Sequence, residues 1–164
     1  MTTPTDPLAD RLEKCYAAAV HDVLRGMGHE RCVLPPQIRP LDPTRKLAGE
    51  IWTFSGYVVD GRCRDTEFIL EQGFRVFCNL NTPADIVARW MPERFGEPVT
   101  IGDVTICTGD YLLADRDGVV IIPGRIAADV VARTEQVLQT ENKVRTAILG
   151  GMDPQEAYLK FGKF

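Results

Sequence analysis

The chain has 164 residues, 45% apolar and 26% charged, with a net charge of −4 and a pI near 5.2. That length suits one ordinary domain, 1–164, with a real core, and the acidic balance argues against nucleic acid as a partner. No apolar run approaches the ~18 residues of a membrane span, and the opening residues do not read as a signal peptide. Five cysteines (Cys15, Cys32, Cys63, Cys78, Cys107) are scattered without a C-x-x-C pair, which fits a reducing cytoplasm better than a zinc site or disulfide framework.

In chain order, Leu8, Leu12, Ala19, Val23 and Met27 recur at helical spacing, which predicts one amphipathic helix from after Asp6-Pro7 to Gly26 or Gly28. Pro35-Pro36 forces extended chain, continued by residues 37–41. Residues 48–54 read as a strand, with Trp52 and Phe54 on one face, and Tyr57-Val58-Val59 as the next. A short helical turn over 66–72 is closed by Gly73, followed by a strand over 75–78. Thr82 to Trp90 reads as a short helix or exposed loop. Gly102-Asp103, between two short apolar runs, favours a hairpin or a bulge, and the Asp115–Gly118 turn joins two more short strands. An apolar stripe from Ile126 to Ile148 predicts a long helix ending at Gly150-Gly151. Asp153-Pro154-Gln155-Glu156 supplies the cap, first-turn proline and acidic N3 residue of a last helix.

The run Asp60-Gly61-Arg62-Cys63-Arg64-Asp65 follows an apolar strand and delivers guanidiniums and a carboxylate to one rim. Strand carboxyl ends are where open α/β sheets place ligands. A carboxylate there can hold a divalent metal while a guanidinium grips an anion, although a solvated turn explains the same charges. His21 and His29 lack a matching nucleophile or third ligand and read as structural or surface residues. Asp110, Asp115 and Asp117 do not match a calcium loop and read as turn formers. Gly102, Gly109 and Gly118 do not form a phosphate loop. Glu135 and Glu141 lie six residues apart, on different faces of the long helix.

Several stretches together resemble the RraA-like family: Ala18 to Leu24, Ile38-Arg39-Pro40-Leu41, Val58 to Asp65, Gly109 to Pro123, and the tail from Glu141 to Tyr158. The strongest signals are Arg64-Asp65 after the Asp-Gly turn and the Gly-Asp…Ala-Asp-x-Asp-Gly-Val run. The family includes 4-hydroxy-4-methyl-2-oxoglutarate aldolases that also decarboxylate oxaloacetate, and a founding member that instead inhibits a ribonuclease by binding it. The resemblance implies an α/β fold, a layered swivelling β/β/α-type domain with a central mixed sheet flanked by helices. It also implies a homotrimer or hexamer with sites between subunits. By position, Arg64 matches the substrate-binding, catalytic arginine and Asp65 the ligand of a divalent metal, magnesium or manganese. Glu141 is the candidate by which a neighbouring subunit completes the metal's water shell. The expected substrate is a small keto diacid cleaved through a pyruvate enolate.

One departure stands out. The family's strand corresponding to Glu50–Phe54 leads into a passage of at least ~30 residues before the strand at Tyr57, whereas here Ser55-Gly56 joins the two directly. The missing passage supplies a strand, a helix and a substrate loop, so its loss is expected to leave strand edges and apolar faces uncovered. It also motivates the competing reading, a catalytically inactive binding or regulatory protein of the same fold.

Overall fold

The computed structural model describes residues 6–57, 62–83 and 91–161. Asp6 caps the first helix, α1 (Pro7–Leu12), by accepting from the Leu8 and Ala9 N–H groups at 3.0 and 3.3 Å, with Pro7 in the first turn. The chain then breaks and restarts as α2 (Ala17–Gly26), so the single predicted helix is two. The cause is long-range: the Ala17 N–H, which a continuous helix would direct to the Glu13 carbonyl, donates instead to buried Asp115 Oδ2 at 2.8 Å. Lys46 Nζ takes up the Cys15 carbonyl at the same break.

The chain continues through β1 (Arg39–Pro40), β2 (Leu47–Glu50), β3 (Phe54–Tyr57), β4 (Arg62–Cys63), α3 (Thr66–Glu71), β5 (Phe77–Cys78), β6 (Leu80–Asn81) and β7 (Met91–Phe95). It closes with β8 (Val99–Ile101), β9 (Val104–Ile106), β10 (Tyr111–Ala114), β11 (Val119–Ile122), a 3₁₀ turn at Gly124–Ile126, α4 (Ala127–Leu149) and α5 (Pro154–Phe161). The Asp-Gly hairpin β10–β11, the β8–β9 hairpin, α3, the long helix and the Asp153-capped last helix all form where the sequence places them.

The centre is the antiparallel sheet β11–β10–β2, extended past β11 by residues 32–34 through Ile121 N–H to Cys32 O and Leu34 N–H to Val119 O. All four residues of β11 are buried, as expected of a strand covered on both faces. Alternation decides which layer each one meets. Val120, Ile122 and Leu113 pack on Leu12, Val20 and Leu24 of the first helices and on Val130 and Val131 of α4. Val119, Ile121 and Ala114 pack the other way, on Leu34 and on Val104 and Ile106 of the β8–β9 hairpin. Helices, sheet and hairpin form three layers of a mixed α/β fold.

The predicted strand over 48–54 is split. It leaves the central sheet after Glu50, as Ile51 exchanges backbone bonds with Asp110 and Gly109. Thr53, 5% exposed, then bonds the Thr108 hydroxyl and the Glu97 carbonyl. The chain thereby enters a separate antiparallel ribbon, β3–β7, with a register shift between Ser55 and Gly56. The join singled out in the sequence thus lies within a bulged strand. Trp52, Met91 and Phe95 on or beside this ribbon are 61%, 59% and 58% exposed, in keeping with uncovered apolar surface. The predicted strand at 75–78 shrinks to Phe77–Cys78, paired with β1. Val58, Val59, Asp60 and Gly61, and the segment 84–90, lie outside the described residues.

Candidate functional site

The site is built where β4 runs out. Cys63 pairs with Asn81 in the parallel β4–β6 contact, and the Thr82 N–H donates to the Cys63 carbonyl at 2.9 Å. Beyond Cys63 the chain turns sharply at Asp65, whose φ of 55° and ψ of 39° lie in the left-handed region. Asp65 is the one non-glycine residue with positive φ among the described residues. Aspartate tolerates this conformation better than most side chains, and residues held there cluster at functional sites. The Asp65 carbonyl then accepts the Ile69 N–H and starts α3.

The turn puts the two side chains named from the sequence side by side. Arg64 Nε lies 3.5 Å from Asp65 Oδ1, and the two side chains are 42% and 68% exposed. Both line a cavity of about 650 Å³, with Thr66, Glu67 and Glu71 from α3 on one wall and Asn81, Thr82 and Pro83 on the other. That size suits a small organic ligand. Sequence reading missed Asn81 and Thr82, because the parallel β4–β6 contact that brings them in has no local signal. Glu67 and Glu71 followed from the short helix but were not singled out.

Glu141 is placed elsewhere within the chain. It accepts a hydrogen bond from the Tyr16 hydroxyl at 2.6 Å and lines a second cavity of about 380 Å³ with Arg145 and Val144. Burial, and then the Glu141 bond, push the Tyr16 hydroxyl up to about 12. Glu135, on the other side of α4, takes a two-pronged bond from Arg11, Nε to Oε1 at 2.9 Å and Nη2 to Oε2 at 2.7 Å. The hydrogen bond from Arg11 holds its carboxyl below the usual value. The aspartates of the glycine-rich turns are structural, as read: Asp110 accepts from the Cys107 and Gly124 N–H groups, and Asp115 from Asp117 and Ala17. His21 lies 3.7 Å from Asp22 on α2, and His29 lines a third cavity with Asp110.

Residues 53–121, which include Arg64, Asp65 and both cavity walls, match the RraA-like family, described as Aldolase/RraA. Over that segment the chain resembles the RraA-like family. Two curated relatives show how far the likeness extends. Protein DlpA of Legionella pneumophila is 34% identical over 102 residues, 62% of this chain and 17% of DlpA. A putative 4-hydroxy-4-methyl-2-oxoglutarate aldolase of Halalkalibacterium halodurans is 28% identical over 126 residues, 73% of this chain and 60% of that protein. The chain thus spans between 17% and 60% of the curated relatives it matches. Among solved structures, Streptomyces coelicolor RraAS2 is described as an unusual member of the RNase ES inhibitor RraA protein family. It superposes with a TM-score of 0.77 at 20% identity, covering 88% of this chain and 99% of that one, a likeness of fold.

A divalent ion of the magnesium type keeps several waters and takes only one or two protein carboxylates. No cluster of three histidine, cysteine, aspartate or glutamate ligands occurs among the described residues. A solvent-facing Asp65 with Glu67 and Glu71 on the same cavity fits a largely hydrated ion and does not fit a closed cage of protein ligands.

Proposed function

We propose that this chain is a divalent-metal-dependent carbon–carbon lyase. Its substrate would be a small keto diacid, such as 4-hydroxy-4-methyl-2-oxoglutarate or oxaloacetate. The observation that carries the reading is the Arg64–Asp65 pair, held on the rim of a ligand-sized cavity by a left-handed turn inside the matched segment.

Arg64 binds a substrate carboxylate through its planar fork of N–H donors. Breaking the bond beside the keto group leaves negative charge on the pyruvate enolate oxygen, and the same guanidinium stabilises that charge as it develops. Asp65 would hold the metal, which supplies Lewis-acid polarisation of the keto oxygen. Asn81 and Thr82 offer neutral donors to the rest of the substrate, a division that keeps Arg64 for the reacting end. Glu141, from a second copy in a trimer or hexamer, is the proposed supplement to the metal's waters. Within one chain it is held by Tyr16.

The test is pyruvate release from oxaloacetate by Asp65→Asn. We expect metal-dependent turnover to fall on the order of 100-fold, the scale of losing one charge-stabilising element, with the unfolding midpoint unchanged. Unchanged metal-dependent turnover would contradict the assignment of Asp65.

A second reading has its own observation. Trp52 and Phe95, with ring centroids 5.9 Å apart, form an exposed aromatic pair at the end of the β3–β7 ribbon. An inactive binding or regulatory protein would use such a surface. Turnover by the purified chain rules it out.

A further inference from the structure

Two thiols that the proposed lyase chemistry does not use sit directly behind the Arg64–Asp65 rim. Cys63 ends β4 and lines the cavity, Cys78 ends β5, and each is 7% exposed. One residue ties them together. Asn81 is the register partner of Cys63, and its carboxamide oxygen accepts from Cys78 Sγ at 3.5 Å. Fifteen positions separate them in sequence, spanning α3 and thus one whole wall of the cavity.

We propose that Cys63 and Cys78 form a redox-sensitive pair that a peroxide closes into a disulfide, tying the strand that ends at the Arg64–Asp65 rim to β5. The order of events follows from placement. Cys63 faces the cavity, where a small peroxide can enter, and its sulfur attacks one peroxide oxygen. The O–O bond breaks, one water leaves, and Cys63 becomes a sulfenic acid. Cys78 then attacks that sulfur and expels the second water. Two thiols and one hydrogen peroxide thus give one disulfide and two waters. Burial, and then Cys63, hold the Cys78 thiol above its ordinary value, and Cys78 is not among the residues that line the cavity, so the first attack falls to Cys63.

The bond forms at the base of the turn that carries Arg64 and Asp65. Cys63 Sγ now contacts the Arg64 carbonyl at 3.7 Å, and drawing that sulfur toward Cys78 gives up the contact and pulls on the turn. The bond itself is independent of the lyase reading, whereas its effect on turnover rests on that reading.

The test treats the full chain with hydrogen peroxide, blocks remaining thiols with iodoacetamide and maps the peptides by mass spectrometry. We expect a Cys63–Cys78 linked pair, lighter by two hydrogens than the reduced peptides and lost after dithiothreitol. In Cys78→Ser the link is absent and Cys63 stops at the sulfenic acid, trapped by dimedone. Exposed Cys107 reports that oxidant was present. Recovery of both Cys63 and Cys78 alkylated from a sample in which Cys107 is oxidised overturns the proposal, as does linkage of either to Cys107. Oxaloacetate turnover, measured before and after oxidation, is expected to fall severalfold and return with dithiothreitol. Absence of turnover in both states counts against the lyase reading, while the peptide map alone decides the disulfide.

Discussion

The two halves of this molecule differ in what holds them. Around β10–β11 the side chains of Leu12, Val20, Leu24, Leu113, Ile122, Val130 and Val131 are all fully buried, pressed between helices and sheet. Around the Arg64–Asp65 turn, α3 buries no residue, and Phe68 and Phe74 are 63% and 64% exposed. Among the described residues the strands there pair in twos, short of the three or more that give a sheet independent stability. Folding free energy is therefore concentrated in the helix–sheet sandwich, while the candidate chemistry rides on a loosely covered flank. Such a division is common where a ligand or a second copy has to complete a site.

The comparison can be broken most forcefully from the packed side. Leu113→Ala removes a fully buried side chain and is expected to cost about 2–5 kcal/mol, whereas Trp52→Ser on the exposed ribbon should cost about 1 kcal/mol or less. Urea unfolding of the two variants measures both, and equal losses would abolish the distinction between the halves.

A smaller effect sharpens the picture at the helix seam, where Arg11 joins α1 to Glu135 of α4. The Glu135 carboxyl titrates below its ordinary 4.5 in the folded chain, so its contribution is fully present above about that pH. The contribution is lost as pH falls through the lowered folded value. Both partners are more than a third exposed, so salt screens the pair. Glu135→Gln is expected to flatten the acid limb of the stability-against-pH curve slightly, and less so in high salt. An acid limb identical to that of the parent chain would show the pair to be without effect.

How much of this was legible in the sequence divides along the same line. The hairpins at Gly102-Asp103 and Asp115–Gly118, the stripe of α4 and the Asp153 cap are local signals, and each forms where it is read. The failures are places where a distant partner overrides local pattern. Asp115 captures the Ala17 N–H and splits one helix into two. Asp110 and Thr108 peel the chain off the central sheet after Glu50. At the site, Arg64 and Asp65 are neighbours in sequence and were found together. Asn81 and Thr82 reach them only through the parallel β4–β6 pairing, which leaves no mark on composition or spacing.

The most direct test of the central claim, that the Arg64–Asp65 cavity is a metal-dependent lyase site, is oxaloacetate decarboxylation by the purified chain. It is run with magnesium or manganese and then with excess chelator. The account requires pyruvate release that the chelator abolishes and added metal restores. A folded sample that releases no pyruvate with either metal, or one whose release ignores the chelator, would contradict it.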